Sequence, residues 1–330
     1  MFETAMPYDE RLAPKPRCKG DSSVQTEFST TYERAFGTLT VRVCAATNVG
    51  RVRQVNEDSY FAKSPVFFVA DGMGGHAYGD RASQTVAATF DEHIDADAPM
   101  RPEEILGLID ESNESIQRLI TEQDGPGAVA GTTLSGIGLV DVDEITPDGD
   151  ELHWMIFNIG DSRVYGWNGR SLIQVTIDHS AVQEMVSMGL ITPADALIHP
   201  DRNVITRAVG SERHVETDIW LMPTRGHQVF VMCSDGLTKE LSDEQIADIM
   251  LAYSADENPT ETLAQTLVDE AVRAGGRDNV TVVVVDSTIT RSYASTADED
   301  TQPRPASTRA HSPEMGLSAD QEDTTPRITE

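Results

Sequence analysis

The sequence predicts an α+β fold in which one sheet packs on another with helices outside, and two observations carry the prediction. Short β-branched runs recur but stand grouped, rather than each being followed by a helix, and the helical patterns fall mostly in adjacent pairs. Strict β-α-β alternation is therefore disfavoured.

The strand runs are TLTVRVCAAT (38–47), PVFFVAD (65–71), LSGIGLV (134–140), WMIFNIGD (154–161), QVFVMCSD (228–235) and NVTVVVVD (279–286). Several are apolar on both faces, the pattern of strands covered on both sides. Helical periodicity marks 79–94 and also 102–122, where Ile105, Leu108, Ile109, Ile116, Leu119 and Ile120 form one stripe after Pro102 and Glu103. A third helix is expected at 243–252, opened by the capping box of Ser242 and Gln245, and a fourth at 261–273, stopped by Gly275 and Gly276. The segment 178–207 has two short helical patterns, Pro193 and Pro200, and reads as a flap over a neighbouring surface. Residues 291–330 hold 15 Ser, Thr or Pro and no Phe, Trp or Val. Such a stretch buries too little apolar surface to order itself. The expected organisation is a disordered or loosely docked extension at 1–38, a folded domain at 39–286, and a disordered Ser/Thr/Pro-rich acidic tail at 287–330.

The 330 residues carry 55 Asp and Glu against 25 Lys and Arg, a net charge of −30. Residues 39–286 hold 41 of the acidic and 16 of the basic side chains, so the folded part itself is acidic. Such a field repels phosphate backbones and anionic lipids, which argues against nucleic-acid and membrane partners. Cys18, Cys44 and Cys233 form no CxxC pair, and no run approaches the roughly 18 apolar residues of a spanning helix. A cytoplasmic, monomeric protein is expected.

A buried strand delivers an aspartate to a glycine-containing turn three times, at VFFVADGMGGH (66–76), FNIGDSR (157–163) and VFVMCSDGL (229–237), and Asp278 precedes a fourth strand. Any one of these also reads as an ordinary turn. Four carboxylates at the ends of core strands in an anionic domain, however, repel one another unless cations neutralise them. All-oxygen ligation suits Mg²⁺ or Mn²⁺, and two such ions about 4 Å apart can activate one water for attack on phosphorus. Glycines 72, 74 and 75 let backbone approach a metal closely. RVRQVNEDSY (51–60) offers Arg51 and Arg53 as alternative phosphate-binding cations beside Glu57 and Asp58.

In this order RQVNED, ADGMGGH, GTT (131–133), GDSRVY (from Gly160), TIDHS, NVITRAVG (203–210), CSDGL and RDNVTVVVV resemble the metal-dependent, type 2C serine/threonine protein phosphatases, bacterial branch, over about 40–286. The resemblance implies a four-layer α-β-β-α sandwich of two antiparallel sheets, with 79–94 and 102–122 on one outer face and 243–252 and 261–273 on the other. It implies in-line attack of metal-activated water on phosphoserine or phosphothreonine. By position, Asp71 resembles the carboxylate bridging two Mn²⁺ or Mg²⁺ ions, and Gly72 lends its carbonyl to one of them. Asp235 and Asp278 resemble ligands of the other, with Glu57 and Asp58 acting through water. Asp161 resembles the residue that joins Asp235 at a third ion, Arg53 resembles the phosphate-binding arginine, and 178–207 resembles the flap. Phosphoprotein substrates and an opposing bacterial Ser/Thr kinase are the implied partners.

Met73 stands where eukaryotic members carry a histidine, which leaves the leaving-group acid between metal-bound water and His76. Other readings fail on the residues. CAATNVGR holds one residue too many between Cys44 and Arg51 for a cysteine phosphatase, and none of Lys15, Lys19, Lys63 or Lys239 follows a GxxxxG. A stress-cascade phosphatase of the same fold would come with sensor domains. A catalytically silent scaffold binding phosphoproteins or a regulator remains as the alternative, distinguished by loss of metal ligands, yet Asp71, Asp235 and Asp278 are all present.

Overall fold

Within Val66–Met73, Val66, Phe68 and Ala70 turn to one side of the strand and Phe67 and Val69 to the other, and both sides are buried. Period-two burial inside a run apolar throughout is what a sheet covered on both faces requires. The computed structural model describes residues 24–34, 37–74, 78–94, 98–120, 130–142 and 152–291.

The first half of the chain forms β1 (Val24–Arg34), β2 (Gly37–Asn48), β3 (Asp58–Lys63), β4 (Val66–Met73), α1 (Gly79–His93), α2 (Pro102–Gln117), β5 (Gly131–Thr132), β6 (Leu134–Asp141) and β7 (Leu152–Ile159). There follow β8 (Arg163–Trp167), β9 (Leu172–Gln174), α3 (Ala181–Ser187), α4 (Pro193–Ala196) and β10 (Asp218–Pro223). The chain then forms β11 (His227–Cys233), α5 (Asp235–Thr238), α6 (Asp243–Ala255), α7 (Leu263–Ala274) and β12 (Val280–Arg291). One sheet has the order β1-β2-β12-β11-β8-β9 and the other β10-β7-β6-β4-β3, with β5 beside β4, and every pairing is antiparallel.

Three apolar layers hold this together. Phe67, Trp154 and Ile156 of one sheet meet Val43, Phe230, Met232 and Val283 of the other. Outside them, Phe68, Met155 and Phe157 pack under Phe90, Ile105 and Ile109 of α1 and α2. On the opposite side Val231, Val282 and Val284 pack under Ile246, Leu267 and Val268 of α6 and α7. The four-layer sandwich and its helix pairs are as expected, including the Ser242–Gln245 capping box.

Two tail expectations are corrected. Residues 24–34 are neither disordered nor loosely docked, since they form β1 in register from Val24↔Thr47 to Arg34↔Gly37, and β12 runs on through 287–291. β1 is an edge strand with one face in solvent, so its composition is half polar although Thr, Phe and Tyr favour strands. Residues 1–23 and 292–330, and most of the acidic insert 141–151, lie outside the described residues.

Tyr32 of β1 is 5% exposed, joins the inter-sheet core, and shares a hydrogen bond with Ser64 Oγ. Tyr32→Ala is expected to lower unfolding free energy by on the order of 3 kcal/mol, as for other large-to-small core changes, read by urea denaturation of the full chain. A loss under about 0.5 kcal/mol, the size of a neutral surface change, would mean β1 is not part of the core.

Candidate active site

Antiparallel pairing brings the chemistry to one edge of the sandwich. β4 carries Asp71 and Gly72 next to its last residue, Met73, and Asp58, which starts β3, lies directly opposite Asp71. β7 runs the same way as β4, through β6, and delivers Gly160 and Asp161 just past its end. In the other sheet β11 ends before Asp235, while Asp278 precedes its antiparallel neighbour β12. Asp58 joins the two sheets here: its Oδ2 accepts from Ser234 Oγ and Thr281 Oγ1, both at 2.7 Å.

The motif residues without a carboxylate hold those that have one. Thr133 donates its N–H to the Asp71 carbonyl and accepts the Asp71 N–H on Oγ1, each at 2.9 Å, and Thr132 Oγ1 also donates to that carbonyl. Thr132 is paired in turn with Val209. Gly160 donates to His179 Nδ1 at 3.0 Å and accepts from the His179 N–H, which fixes the turn carrying Asp161. Burial, and next Arg207, lower the His179 pKa, and its Nε2 lies 3.0 Å from Arg207 Nη1 and 3.3 Å from Asp218 Oδ2. Arg163 grips Asp178 in a fork, with Nη2 2.7 Å from Oδ2, rooting the start of the flap on β8. The flap carries α3 and α4 and exposes Met188, Leu190, Leu197 and Ile198.

Asn279 ties the arginine loop to Asp278. Its Oδ1 accepts from Glu57 N–H and its Nδ2 donates to the carbonyls of Val49 and Val55. Gly50, at φ +79°, lies so close that a Cβ would stand 2.2 Å from the Asp278 carbonyl. At Gly72 a Cβ would stand 2.1 Å from the Gly79 carbonyl and 2.5 Å from that of Glu57. Backbone alone fits there.

The carboxylates raise one another's pKa. Burial, followed by Asp58, Asp235 and Asp161, holds Asp71 well above the usual carboxylate range. Burial also pushes Asp58 and Asp161 up to about 7, against two hydroxyl hydrogen bonds at Asp58 and with Asp235 adding to the rise at Asp161. Asp235 is raised by burial and lies within hydrogen-bonding reach of Asp71. Glu57 is raised by burial, against the pull of Arg53. Asp278 differs, because Lys239 and Arg53 overcome its burial and hold it below the ordinary value.

Arg53, 46% exposed at the rim, places Nε 2.9 Å from Asp278 Oδ1 and Nη1 3.6 Å from Glu57. Lys239 is the residue the sequence reading passed over. Its Nζ contacts Asp235 Oδ2 and sits 3.0 Å from Asp278 Oδ2. The signal was its position four residues after Asp235, one helical turn on. His76 lies outside the described residues, and Cys233 is inert, its thiol pushed up to about 12 by burial.

Among the described residues no three acidic, histidine or cysteine side chains are closed into a metal-binding group. Lys239 and Arg53 instead hold Asp278, and Lys239 holds Asp235. The donor set nevertheless fits hard cations, because Asp58 Oδ1, Asp161 Oδ1 and Asp235 Oδ1 are buried without a hydrogen-bond partner. No helix among the described residues is long and apolar enough to cross a membrane.

Comparison with known proteins places this arrangement. A sequence model described as Protein phosphatase 2C matches residues 49–270. The chain is 37% identical over 254 residues to the serine/threonine protein phosphatase PstP of Mycobacterium tuberculosis, covering 76% of this chain but spanning only 45% of that relative's length. It is 32% identical over 251 residues to the serine/threonine phosphatase Stp of Listeria monocytogenes, covering 74% of this chain and 95% of that relative. A crystal structure of the PstP catalytic domain in complex with two manganese ions superposes with a TM-score of 0.61 at 33% identity, over 76% of this chain and 99% of the other. With the motifs, the two-sheet sandwich and the acidic edge in agreement, the chain belongs to the protein phosphatase 2C family, on its bacterial branch.

Proposed function

We propose that this chain, over a domain of residues 24–291, is a protein serine/threonine phosphatase that hydrolyses phosphoserine and phosphothreonine esters with water activated at a divalent-metal centre. The observation that carries the reading is the convergence of Asp58, Asp71, Asp161 and Asp235 on one edge, three of them with a buried, unpartnered carboxylate oxygen. Asp71 and the Gly72 carbonyl would hold one ion, Asp71, Asp235 and Asp278 the other, and Asp161 with Asp235 a third. Bound Mn²⁺ or Mg²⁺ supplies positive charge that offsets the carboxylates and lowers the pKa of a water.

The chain's own groups supply position. Thr132 and Thr133 fix the Asp71 backbone on both sides, so its carboxylate cannot retreat from the edge. Glu57 and Asp58 add negative charge behind it and would reach the ions through water. Arg53 stands half-exposed at the rim with its Nε and Nη2 on the Asp278 carboxylate, and its guanidinium would supply a fork for two phosphate oxygens. The flap, anchored at Gly160 by His179, borders the same edge and offers apolar side chains to a protein substrate. A Ser/Thr kinase is the opposing enzyme in this reading, with the chain acting as a cytoplasmic monomer. Cys44 and Cys233, unpaired among the described residues, support a reducing compartment.

Hydrolysis of an aryl phosphate and of a phosphothreonine peptide, with Mn²⁺ and then with excess chelator, tests the activity. Asp71→Ala is expected to lower kcat by about 10³-fold or more, since one side chain serves two ions. Wild-type-like turnover in that variant would remove Asp71 from the centre. Arg53→Ala is expected to raise KM for the phosphopeptide by about tenfold or more with a smaller effect on kcat, as loss of a charge-assisted contact made in the ground state. An unchanged KM would move the phosphate contact elsewhere, Arg51 being the nearest alternative.

The raised carboxylates also set a pH dependence. A carboxyl whose folded pKa exceeds its unfolded value stabilises the protein at low pH, and that stability is lost as pH rises through the folded value. For Asp58 and Asp161 the loss runs from the ordinary carboxylate value near 4 up to about 7. Asp278, held low, is already ionised in this window, and His179, also held low, acts in the opposite direction below its ordinary value. In chelator, stability is expected to fall between about pH 5 and 7, and to fall less steeply in Asp161→Asn, by about 1 kcal/mol per pH unit. Equal slopes in thermal or urea unfolding would show that Asp161 is not protonated in the folded chain.

A further inference from the structure

Lys239 is one of four lysines in a chain of net charge −30, and it is set among the carboxylates. It follows α5, four residues after Asp235, and its side chain keeps 34% exposure while Nζ bridges Asp235 Oδ2 and Asp278 Oδ2. These two residues come from separate strands, at the end of β11 and before β12. A single ammonium thus joins the carboxylates assigned above to one metal ion, using one oxygen from each. The Asp235 Oδ1 beside it is buried and has no partner. The neighbouring Glu240 and Arg277 side chains form a separate pair, with Arg277 Nε 2.9 Å from Glu240 Oε1.

We propose that Lys239 is a resident counter-cation: its ammonium holds the Asp235–Asp278 pair together in the metal-free chain, and a divalent ion bound by the pair must displace it. The proposal rests on the metal-centre reading given above. Lys239 then has two opposed effects. It stabilises the metal-free protein by placing a positive charge between two carboxylates, of which Asp278 is also paired with Arg53. It weakens metal binding, because an ion gains only the difference between its own contacts and those of the ammonium it replaces. Lys239 therefore sets the metal concentration at which the centre fills, as a positioning residue rather than a catalytic one. The four-carbon stem and the exposed flank give the ammonium a route out to solvent.

The test compares the full wild-type chain with Lys239→Met, which keeps the unbranched stem and removes the charge, and with Lys239→Arg, which keeps the charge. Mn²⁺ binding is followed by calorimetric titration of the chelator-treated protein, and the Tm is read in chelator and in saturating Mn²⁺. Lys239→Met is expected to bind Mn²⁺ about tenfold more tightly, to melt lower in chelator, and to gain more Tm from Mn²⁺ than wild type, with Lys239→Arg close to wild type. Unchanged affinity and Tm in Lys239→Met, or weaker binding, would overturn the counter-cation role while leaving the metal centre standing. Absence of Mn²⁺ binding by wild type and both variants would instead overturn the metal-centre reading itself.

Discussion

The mutual repulsion of buried carboxylates is the constraint on which this molecule turns. Asp58, Asp71, Asp161 and Asp235 are driven upward in pKa by burial and by one another, and the fold offers three unpartnered oxygens to whatever positive charge arrives. Such an arrangement costs stability in isolation and persists only because the rest of the sandwich over-determines it. The antiparallel sheets are the means. β4, β7 and β11 end on the same edge while β3 and β12 begin there, so five strand termini hold five acidic side chains on a core that closes around Trp154, Phe67 and Phe230.

Around that edge the motif residues divide into those that present charge and those that hold backbone. Thr132, Thr133 and Asn279 carry no charge, and they and His179 direct hydrogen bonds to the peptide groups flanking Asp71, Gly160 or Glu57. Pre-organisation of this kind means that an incoming phosphate or cation need not order the site on arrival. Arg53 and Lys239 do the complementary work, supplying the positive charge that the chain itself contributes to Asp278.

Much of this was legible before any coordinates. The strand runs at 65–71, 228–235 and 279–286 are apolar on both faces because helices cover one side and the second sheet the other, so the layer order followed from composition and period. The aspartates stood out because each ends or begins such a run. Their roles were not readable from spacing, and came from resemblance to a family. β1 escaped because an edge strand needs only one apolar face, and VQTEFSTTYER looks like a polar tail without its partner β2. Lys239 escaped because a lysine one turn after an aspartate reads as a surface pair, and only the tertiary approach of Asp278 makes it a bridge. The holding roles of Thr133 and Asn279 are likewise tertiary, linking segments more than 60 and more than 200 residues apart.

The account stands or falls on whether divalent ions sit between these carboxylates. Anomalous X-ray diffraction near the manganese edge, on crystals of the full chain grown with Mn²⁺, answers that directly. The account predicts at least two peaks about 2.2 Å from carboxylate oxygens of Asp71, Asp235 and Asp278, with the Lys239 ammonium displaced from Asp235. Peaks confined to the outer surface, with Lys239 still bridging Asp235 and Asp278, would contradict it.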